Sequence, residues 1–366
     1  MPRISLAKTL PDFPWDSLEA AKAKAAAHPG GIVNLSVGTP VDPVAPIIQD
    51  ALAAVAAVPG YPTTHGTEEL RVAAAESLLR RYGIGGIDPQ AILPAIGTKE
   101  FIAWLPRLLG LGAEDLVVIP ELAYPTYEVG ALLAGARMIR ADGLNRLGPE
   151  SASLIFVNSP SNPTGKVLGL EHLRKVVDWA RRRGAIVVSD ECYLGLTWEV
   201  EALSILDERV NDGDLTGLLA VHSLSKTSNL ASYRAGFVTG DPALVSELLE
   251  LRKHAGMMVP LPIQSAMTAA LRDDEHEKLQ RERYRKRRDI LLAAVRGAGF
   301  TVDNSEAGLY LWATRGEACR DTVEWFADRG ILVAPGEFYG PRGSAHVRIA
   351  LTATDERIDA AAQRLS

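Results

Sequence analysis

The segment Ser223-Leu-Ser-Lys226 directly follows an apolar run, Leu218 to Val221, and Arg234 comes shortly after it. A strand of that kind delivers a reactive amine to the mouth of a sheet. The two hydroxyls and the guanidinium beside it suit a phosphate. An amine and a phosphate cradle together equip an enzyme to carry pyridoxal 5'-phosphate as a Schiff base on lysine. Ser, Lys and Arg are common, so the pattern draws its force from company. Gly97-Thr-Lys99, Asn162-Pro-Thr-Gly165 and Asp190-Glu-Cys-Tyr193 precede it in the order such a site needs.

That cofactor requires an amine for its aldehyde, a cradle for its phosphate and an anion at its ring nitrogen. It also requires donors to its phenolic oxygen and a flat surface against its ring. Lys226 is the candidate amine and, once displaced by substrate, the candidate proton carrier. Gly97-Thr98-Lys99 opens a predicted helix, so the amides of Thr98 and Lys99 would face an anion, with Ser223, Ser225 and Arg234 closing around it. Asp190 ends a predicted buried strand, where a carboxylate needs a cation or several donors; a protonated pyridine nitrogen is such a cation. Tyr193 and Asn162 are the candidate donors to the phenolic oxygen, and Tyr124 the candidate flat surface. Arg348, in the apolar strand His346-Val-Arg-Ile, wants a planar anion such as a substrate α-carboxylate, with Gly38 allowing close backbone approach. Each residue has a plainer reading: a surface lysine, a helix-capping aspartate, an Asn-Pro turn, a core tyrosine, an internal salt bridge. Ser-x-x-Lys is also the nucleophile signature of penicillin-binding proteins and serine β-lactamases, but the sequence has neither the Lys-Thr-Gly nor the Ser-Asp-Asn segment those need.

The elements that must hold these residues follow from the hydrophobic rhythm. The chain has 366 residues, 47% hydrophobic, enough for a sizeable core and two domains. Charged residues make up 23% and the net charge is -6, which argues against a nucleic-acid binder and against disorder. The basic run Arg281 to Arg288 leads into Ile290-Leu-Leu-Ala at helical spacing and reads as a solvated helix face. Two cysteines, Cys192 and Cys319, form neither a metal motif nor a disulfide framework. With no signal-peptide pattern, a cytoplasmic location is expected, and no apolar stretch reaches membrane-spanning length.

Buried-strand runs fall at Leu116–Ile119, Leu154–Val157, Ala185–Val188, Leu218–Val221 and Gly236–Thr239. Helical patterns at Lys99–Leu111, Tyr127–Ala134 and Leu170–Arg183 separate most of them, which predicts an α/β fold with a mainly parallel sheet between helices. Earlier, Thr67 is a predicted N-cap and Gly83 a predicted stop for a helix. Beyond Asp241 come long helices, Pro242–His254 and Asp274–Ala298, then a shorter α+β stretch. We expect a large domain over 46–255 and a small domain built from 1–45 and 256–366. The polar motifs sit after strand ends, where open parallel sheets bind ligands.

Together these segments resemble the class I/II aminotransferases, pyridoxal-phosphate enzymes of fold type I. The likeness runs from Leu35-Ser-Val-Gly38 to Arg348. It is carried by Asn162-Pro-Thr-Gly165, Asp190-x-x-Tyr193, Ser223-x-Ser-Lys226 and Arg234. It implies the roles given above for Lys226, Asp190, Asn162, Tyr193, Ser223, Ser225, Arg234 and Arg348. It further implies a cis bond at Asn162-Pro163 and a homodimer with a shared site, in which Tyr61 reaches the phosphate of the neighbouring subunit. The wording around Pro335–Gly340 looks most like the succinyldiaminopimelate aminotransferases of actinobacteria. That implies glutamate as donor and N-succinyl-2-amino-6-ketopimelate as acceptor, in lysine biosynthesis. Lys99, Arg252, Lys253 and Arg342 are candidates for a distal carboxylate. Other aminotransferases (aspartate, alanine or aromatic type) and a carbon–sulfur β-lyase would use the same residues. A transcription regulator on this fold would carry an added DNA-binding domain and less acidic charge.

Overall fold

A computed structural model describes residues 5–148 and 150–366. The strands are β1 (Val33–Asn34), β2 (Ile92–Ile96), β3 (Leu116–Ile119), β4 (Arg137–Arg140), β5 (Leu154–Asn158), β6 (Ile186–Asp190) and β7 (Leu218–Ser223). They continue with β8 (Ala235–Gly240), β9 (Thr301–Asp303), β10 (Tyr310–Thr314), β11 (Ile331–Leu332), β12 (Ala334–Pro335) and β13 (Val347–Ala350). Seven of them form one sheet in the order β2-β8-β7-β6-β5-β3-β4. The β7-β6-β5-β3-β4 ladders are parallel, and β8 runs antiparallel to both its neighbours.

Parallel strands covered on both faces must be apolar on both, and they are. Leu116, Val118, Ile155 and Val157 face one helical layer, with Leu173, Val177 and Met267. The alternate residues Val117, Ile119, Leu154 and Phe156 face the other, with Phe101, Leu105, Tyr127 and Val245. Burying each such side chain contributes about 1.5–3 kcal/mol.

The five strand runs read from the sequence all appear, with β5, β7 and β8 extended by a residue or two at one or both ends and β6 starting one residue later and ending two later. Two strands of this sheet went unread, β2 and β4, and they are its two edges. Edges tolerate what central strands do not. β2 carries Pro94, and β4 is bracketed by Arg137 and Arg140, so neither shows the apolar run of a buried strand. The helix Leu261–Arg272 was also unread. Its Ala266, Met267, Ala270 and Leu271 pack into the core of the large sheet.

A separate core joins the two ends of the chain. Leu18, Ala21, Ala25, Val33 and Leu35 pack with Leu291, Val295, Leu311, Phe326 and Ile349. β1 pairs with β11, and β12-β13-β10-β9 form a four-stranded antiparallel sheet. The N-terminal segment is thereby tied to the C-terminal domain. Among the described residues no helix is long and apolar enough to cross a membrane.

The helix Thr98–Leu108, which starts at the tip of β2, is pinned near its first turn. Arg252 is wholly buried and places both terminal nitrogens 3.3 Å from the Glu100 carboxylate. Glu100 itself keeps 22% of its side chain exposed. Removing the acid therefore strands a buried cation, whereas removing the cation leaves a carboxylate that water still reaches. Glu100→Ala should lower unfolding free energy by about 3 kcal/mol in urea titration, and Arg252→Met by clearly less.

Candidate active site

β5, β6 and β7 end side by side, and their polar residues open into one cleft of about 780 Å³. Gly38, Thr98, Lys99, Tyr124, Asn162, Asp190, Tyr193, Ser223, Ser225, Lys226, Arg234 and Arg348 all line it. Tyr61 does not; it is 96% exposed, elsewhere on the surface.

Asp190 is the last residue of β6 and is 5% exposed. The Tyr127 hydroxyl donates to Oδ2 at 2.7 Å and the Cys192 N–H to Oδ1 at 3.2 Å. Among the described residues no cation pairs with it. Burial pushes its carboxyl up, and hydrogen bonds from Cys192 and Tyr127 pull it back. Such a carboxylate faces the cleft with neutral donors alone, which leaves room for one positive partner.

Lys226 sits in the turn just after β7, where its ammonium donates to the Gly38 carbonyl. Burial lowers its pKa from the usual lysine value, so the free amine is easier to reach. Gly38 has a second neighbour. A Cβ at this position would collide with the Tyr310 hydroxyl, so glycine is needed for the approach of this chain's own tyrosine.

The phosphate-type cradle lies at the other side. Gly97 caps the helix Thr98–Leu108 with a φ of 74°, and no side chain caps the first-turn amides. Arg234 holds a left-handed φ of 55°, a conformation that costs a non-glycine residue about 1–2 kcal/mol. Its guanidinium packs so closely on Gly97 that any Cβ there would clash. Its Nη1 donates to the Ala231 carbonyl at 2.8 Å, and among the described residues no acid neutralises it. Ser223 accepts from the Ser225 N–H at 3.1 Å, which turns the chain after β7. Uncapped amides, two serines and an unpaired guanidinium together suit a dianion.

On the small-domain side, Arg348 is 3% exposed and makes no salt bridge among the described residues. Its terminal nitrogens donate to Asn162 Oδ1 at 2.9 Å and to the Ser36 carbonyl at 2.7 Å, and its Nε has no partner. Its guanidinium carbon lies 3.9 Å from the Tyr310 ring centre. The internal salt bridge weighed from the sequence is thus replaced by carbonyl acceptors and an aromatic face, which orient the cation without neutralising it. Asn162 spends its oxygen on Arg348, so its amide N–H groups remain as donors. Tyr193 and Tyr310 hydroxyls are 3.0 Å apart, and burial raises the Tyr193 pKa well above the phenol range. Tyr124 meets Tyr127 edge-on at 5.8 Å, and burial pushes its hydroxyl up to about 12. The bond Asn162-Pro163 is cis, as the resemblance implies, and so is Ser159-Pro160.

Sequence reasoning missed Tyr310, Tyr127, Phe13 and Trp15, and it placed Asn158 at a strand end without giving it a role. Tyr310 and Tyr127 lie in apolar runs and read as core. Asn158 donates to the Asp190 carbonyl at 2.8 Å and accepts from the Asn162 N–H at 2.7 Å, so it ties two strand tips together. Its place at the end of β5 was the available signal. Phe13 and Trp15 reach the cleft only through long-range packing of the N-terminal segment.

Pyridoxal phosphate fits this donor set on observations of the chain itself: a buried carboxylate lacking a cation, an uncapped helix start beside an unpaired arginine, and a partly buried lysine between them. Comparison with known proteins agrees. The family model for class I and II aminotransferases matches residues 31–365. A probable aminotransferase of Mycobacterium tuberculosis is 67% identical, over 100% of this chain and 87% of its own length. The 4-dedimethylamino-4-oxo-anhydrotetracycline transaminase of Streptomyces rimosus is 57% identical, over 98% of this chain and 100% of its own. A solved structure of a probable N-succinyldiaminopimelate aminotransferase from Thermus thermophilus superposes with a TM-score of 0.86 at 30% identity, covering 96% of this chain and 99% of that one. Fold, cleft and comparisons converge: this chain belongs to the class I and II aminotransferases, enzymes that depend on pyridoxal phosphate.

Proposed function

We propose that the enzyme moves an amino group from glutamate to a long keto acid carrying a second carboxylate, with N-succinyl-2-amino-6-ketopimelate as the acceptor, in the cytoplasm. The observation that carries this reading is Lys99. Of the four cations considered for a distal carboxylate, Arg252 is bound to Glu100 at 3.3 Å, Lys253 to Glu250 at 2.6 Å, and Arg342 lies 3.6 Å from Glu121. None of those three lines the cleft, and Lys99 does. It pairs with no carboxylate among the described residues, and its ammonium sits 5.5 Å from the Phe13 ring centre. Burial, and then Arg234, lower its pKa. Trp15, also at the mouth, holds a buried indole N–H without a partner. Two donors lacking acceptors, together with Arg348 in the same cleft, support a substrate with an anion at each end.

In this reading Arg348 orients the α-carboxylate, and Thr98, Lys99, Ser223, Ser225 and Arg234 hold the phosphate through amides, hydroxyls and the guanidinium. Asp190 holds the ring nitrogen, Asn162 and Tyr193 donate to the phenolic oxygen, and Tyr124 lies along the ring. When bound, pyridoxal phosphate supplies an aldehyde that takes up the amine and a ring that withdraws electrons from the substrate Cα. Lys226 Nζ, favoured as the free base by burial, then takes the proton from Cα. Tyr310 fixes the Tyr193 hydroxyl and the Arg348 plane at once. The exposed ring of Tyr61 supports a homodimer in which it reaches the partner's phosphate.

A second reading has a specific observation behind it. The mouth is aromatic, with Phe13 and Trp15 centred 5.6 Å apart and Trp15 against Phe338 at 5.3 Å. Together with the 57% identity to a tetracycline transaminase, this favours a flat polycyclic ketone. A panel of keto acceptors with glutamate as donor separates the two. Turnover of the succinylated keto acid above the others supports the first, and turnover of polycyclic ketones alone overturns it.

Three outcomes test the residue roles. Lys226→Ala should lose both turnover and the cofactor label that borohydride fixes to the polypeptide; a variant that keeps the fixed label contradicts the assignment. Asp190→Asn should still bind cofactor but turn over about 100-fold more slowly; unchanged kcat contradicts its role. Lys99→Met should raise KM for the dicarboxylic acceptor about tenfold more than KM for pyruvate, and an equal rise for both contradicts a distal subsite.

A further inference from the structure

Glu191 and His222 lie beneath the floor of the cleft and take no part in the chemistry above. Glu191 follows Asp190 directly, and its side chain is wholly enclosed, with His222 nearly so at 7% exposed. Glu191 Oε1 accepts the Ile205 N–H at 2.8 Å. Its Oε2 faces His222 Nε2 across 3.7 Å, and among the described residues neither atom has a hydrogen-bond partner. That gap is too long for a direct hydrogen bond. Two buried, unpartnered polar atoms aimed at each other are costly unless something joins them.

A small cavity of about 20 Å³ lies against both residues. One water needs roughly 10–15 Å³ on this measure. The cavity shares Cys192 and Ser223 with the active-site cleft. It shares Arg81, Tyr82, Leu194 and Gly195 with a second cleft of about 470 Å³, rimmed by the exposed Glu201 and Lys278.

We propose that one buried water bridges Glu191 Oε2 and His222 Nε2, and that Glu191 donates its proton along this bridge and so stays uncharged beside Asp190. Glu191 is then a positioning residue that acts through Asp190, and this part of the inference rests on Asp190 facing the cofactor ring. Two ionised carboxylates on consecutive buried residues would each raise the other's pKa, and Asp190 would lose its anion.

The remaining groups around the cavity supply no competing charge to Glu191. Arg81 is engaged by Asp274 at 2.7 Å and Glu277 at 2.6 Å. The Tyr82 hydroxyl donates to Glu277 at 3.3 Å and is held far above the phenol range by burial. The Cys192 thiol is likewise pushed up by burial. The His222 ring stacks on Phe237 at 5.0 Å, and burial lowers its pKa to about 3, which keeps it neutral as an acceptor. Burial raises the Glu191 carboxyl to about 7. It is therefore protonated below that pH and ionises above it.

Infrared difference spectra of the cofactor-free protein test the proton directly. Both the wild type and Asp190→Asn should show a protonated-carboxyl band at pH 6 that fades above pH 7, and Glu191→Gln in the Asp190→Asn background should lack it. His222→Gln should shift the band by changing its acceptor. In the loaded enzyme, the visible absorbance should show a step near pH 7 that Glu191→Gln removes. A band that survives Glu191→Gln in the Asp190→Asn background, or an identical absorbance step in Glu191→Gln, overturns the proposal, as does a crystal map of the wild type without the bridging water. If only the Asp190 reading fails, Asp190→Asn keeps full turnover while its band still disappears when Glu191→Gln is added.

Discussion

A carboxylate at the tip of the central strand, buried and without a cation, is the constraint around which the site is arranged. Asp190 could not stay ionised there on Tyr127 and Cys192 alone without the loss of solvation raising its pKa. Among the described residues no positive side chain pairs with it. Arg234, Lys226 and Arg348 share its cleft, yet each is directed elsewhere, to Ala231, Gly38 and Asn162. In the proposed reading the site awaits a positive charge that arrives with the cofactor, and the same unmet demand would give that charge its function as an electron sink.

The second organising fact is that the cleft belongs to both ends of the chain. The large sheet sets Asn162, Asp190 and Ser223 at adjacent strand tips. The small-domain core carries Arg348 and Tyr310 over them and brings Gly38 along through the pairing of β1 with β11. Tyr310 links the halves, since its hydroxyl meets Tyr193 and its ring lies under Arg348. A change in the packing of the small core therefore moves Arg348 relative to Asn162 and Asp190, the proposed substrate clamp relative to the proposed cofactor floor.

Much of this was legible in the sequence, for reasons that also explain what was not. Central strands such as Leu116–Ile119 announce themselves because both faces are buried. The edge strands β2 and β4 do not, because Pro94 and the flanking arginines obey the rules of an edge. Residues whose chemistry is local were found, such as Lys226 after its strand and Gly97-Thr98 at a helix start. Residues defined by what meets them across the fold were not. Tyr310 reads as core in Leu309-Tyr-Leu-Trp, and only the contacts with Gly38 and Arg348 show otherwise. Lys99 was one cation among four until packing paired the other three.

In the proposed site Asp190 depends on the bound cofactor for its charge. Carbon-13 NMR of the labelled aspartate side chain, followed through pH with and without pyridoxal phosphate, measures it. The Asp190 carboxyl should titrate above the ordinary aspartate range in the cofactor-free protein and move well below it on loading. An Asp190 signal that titrates identically in both forms would contradict it.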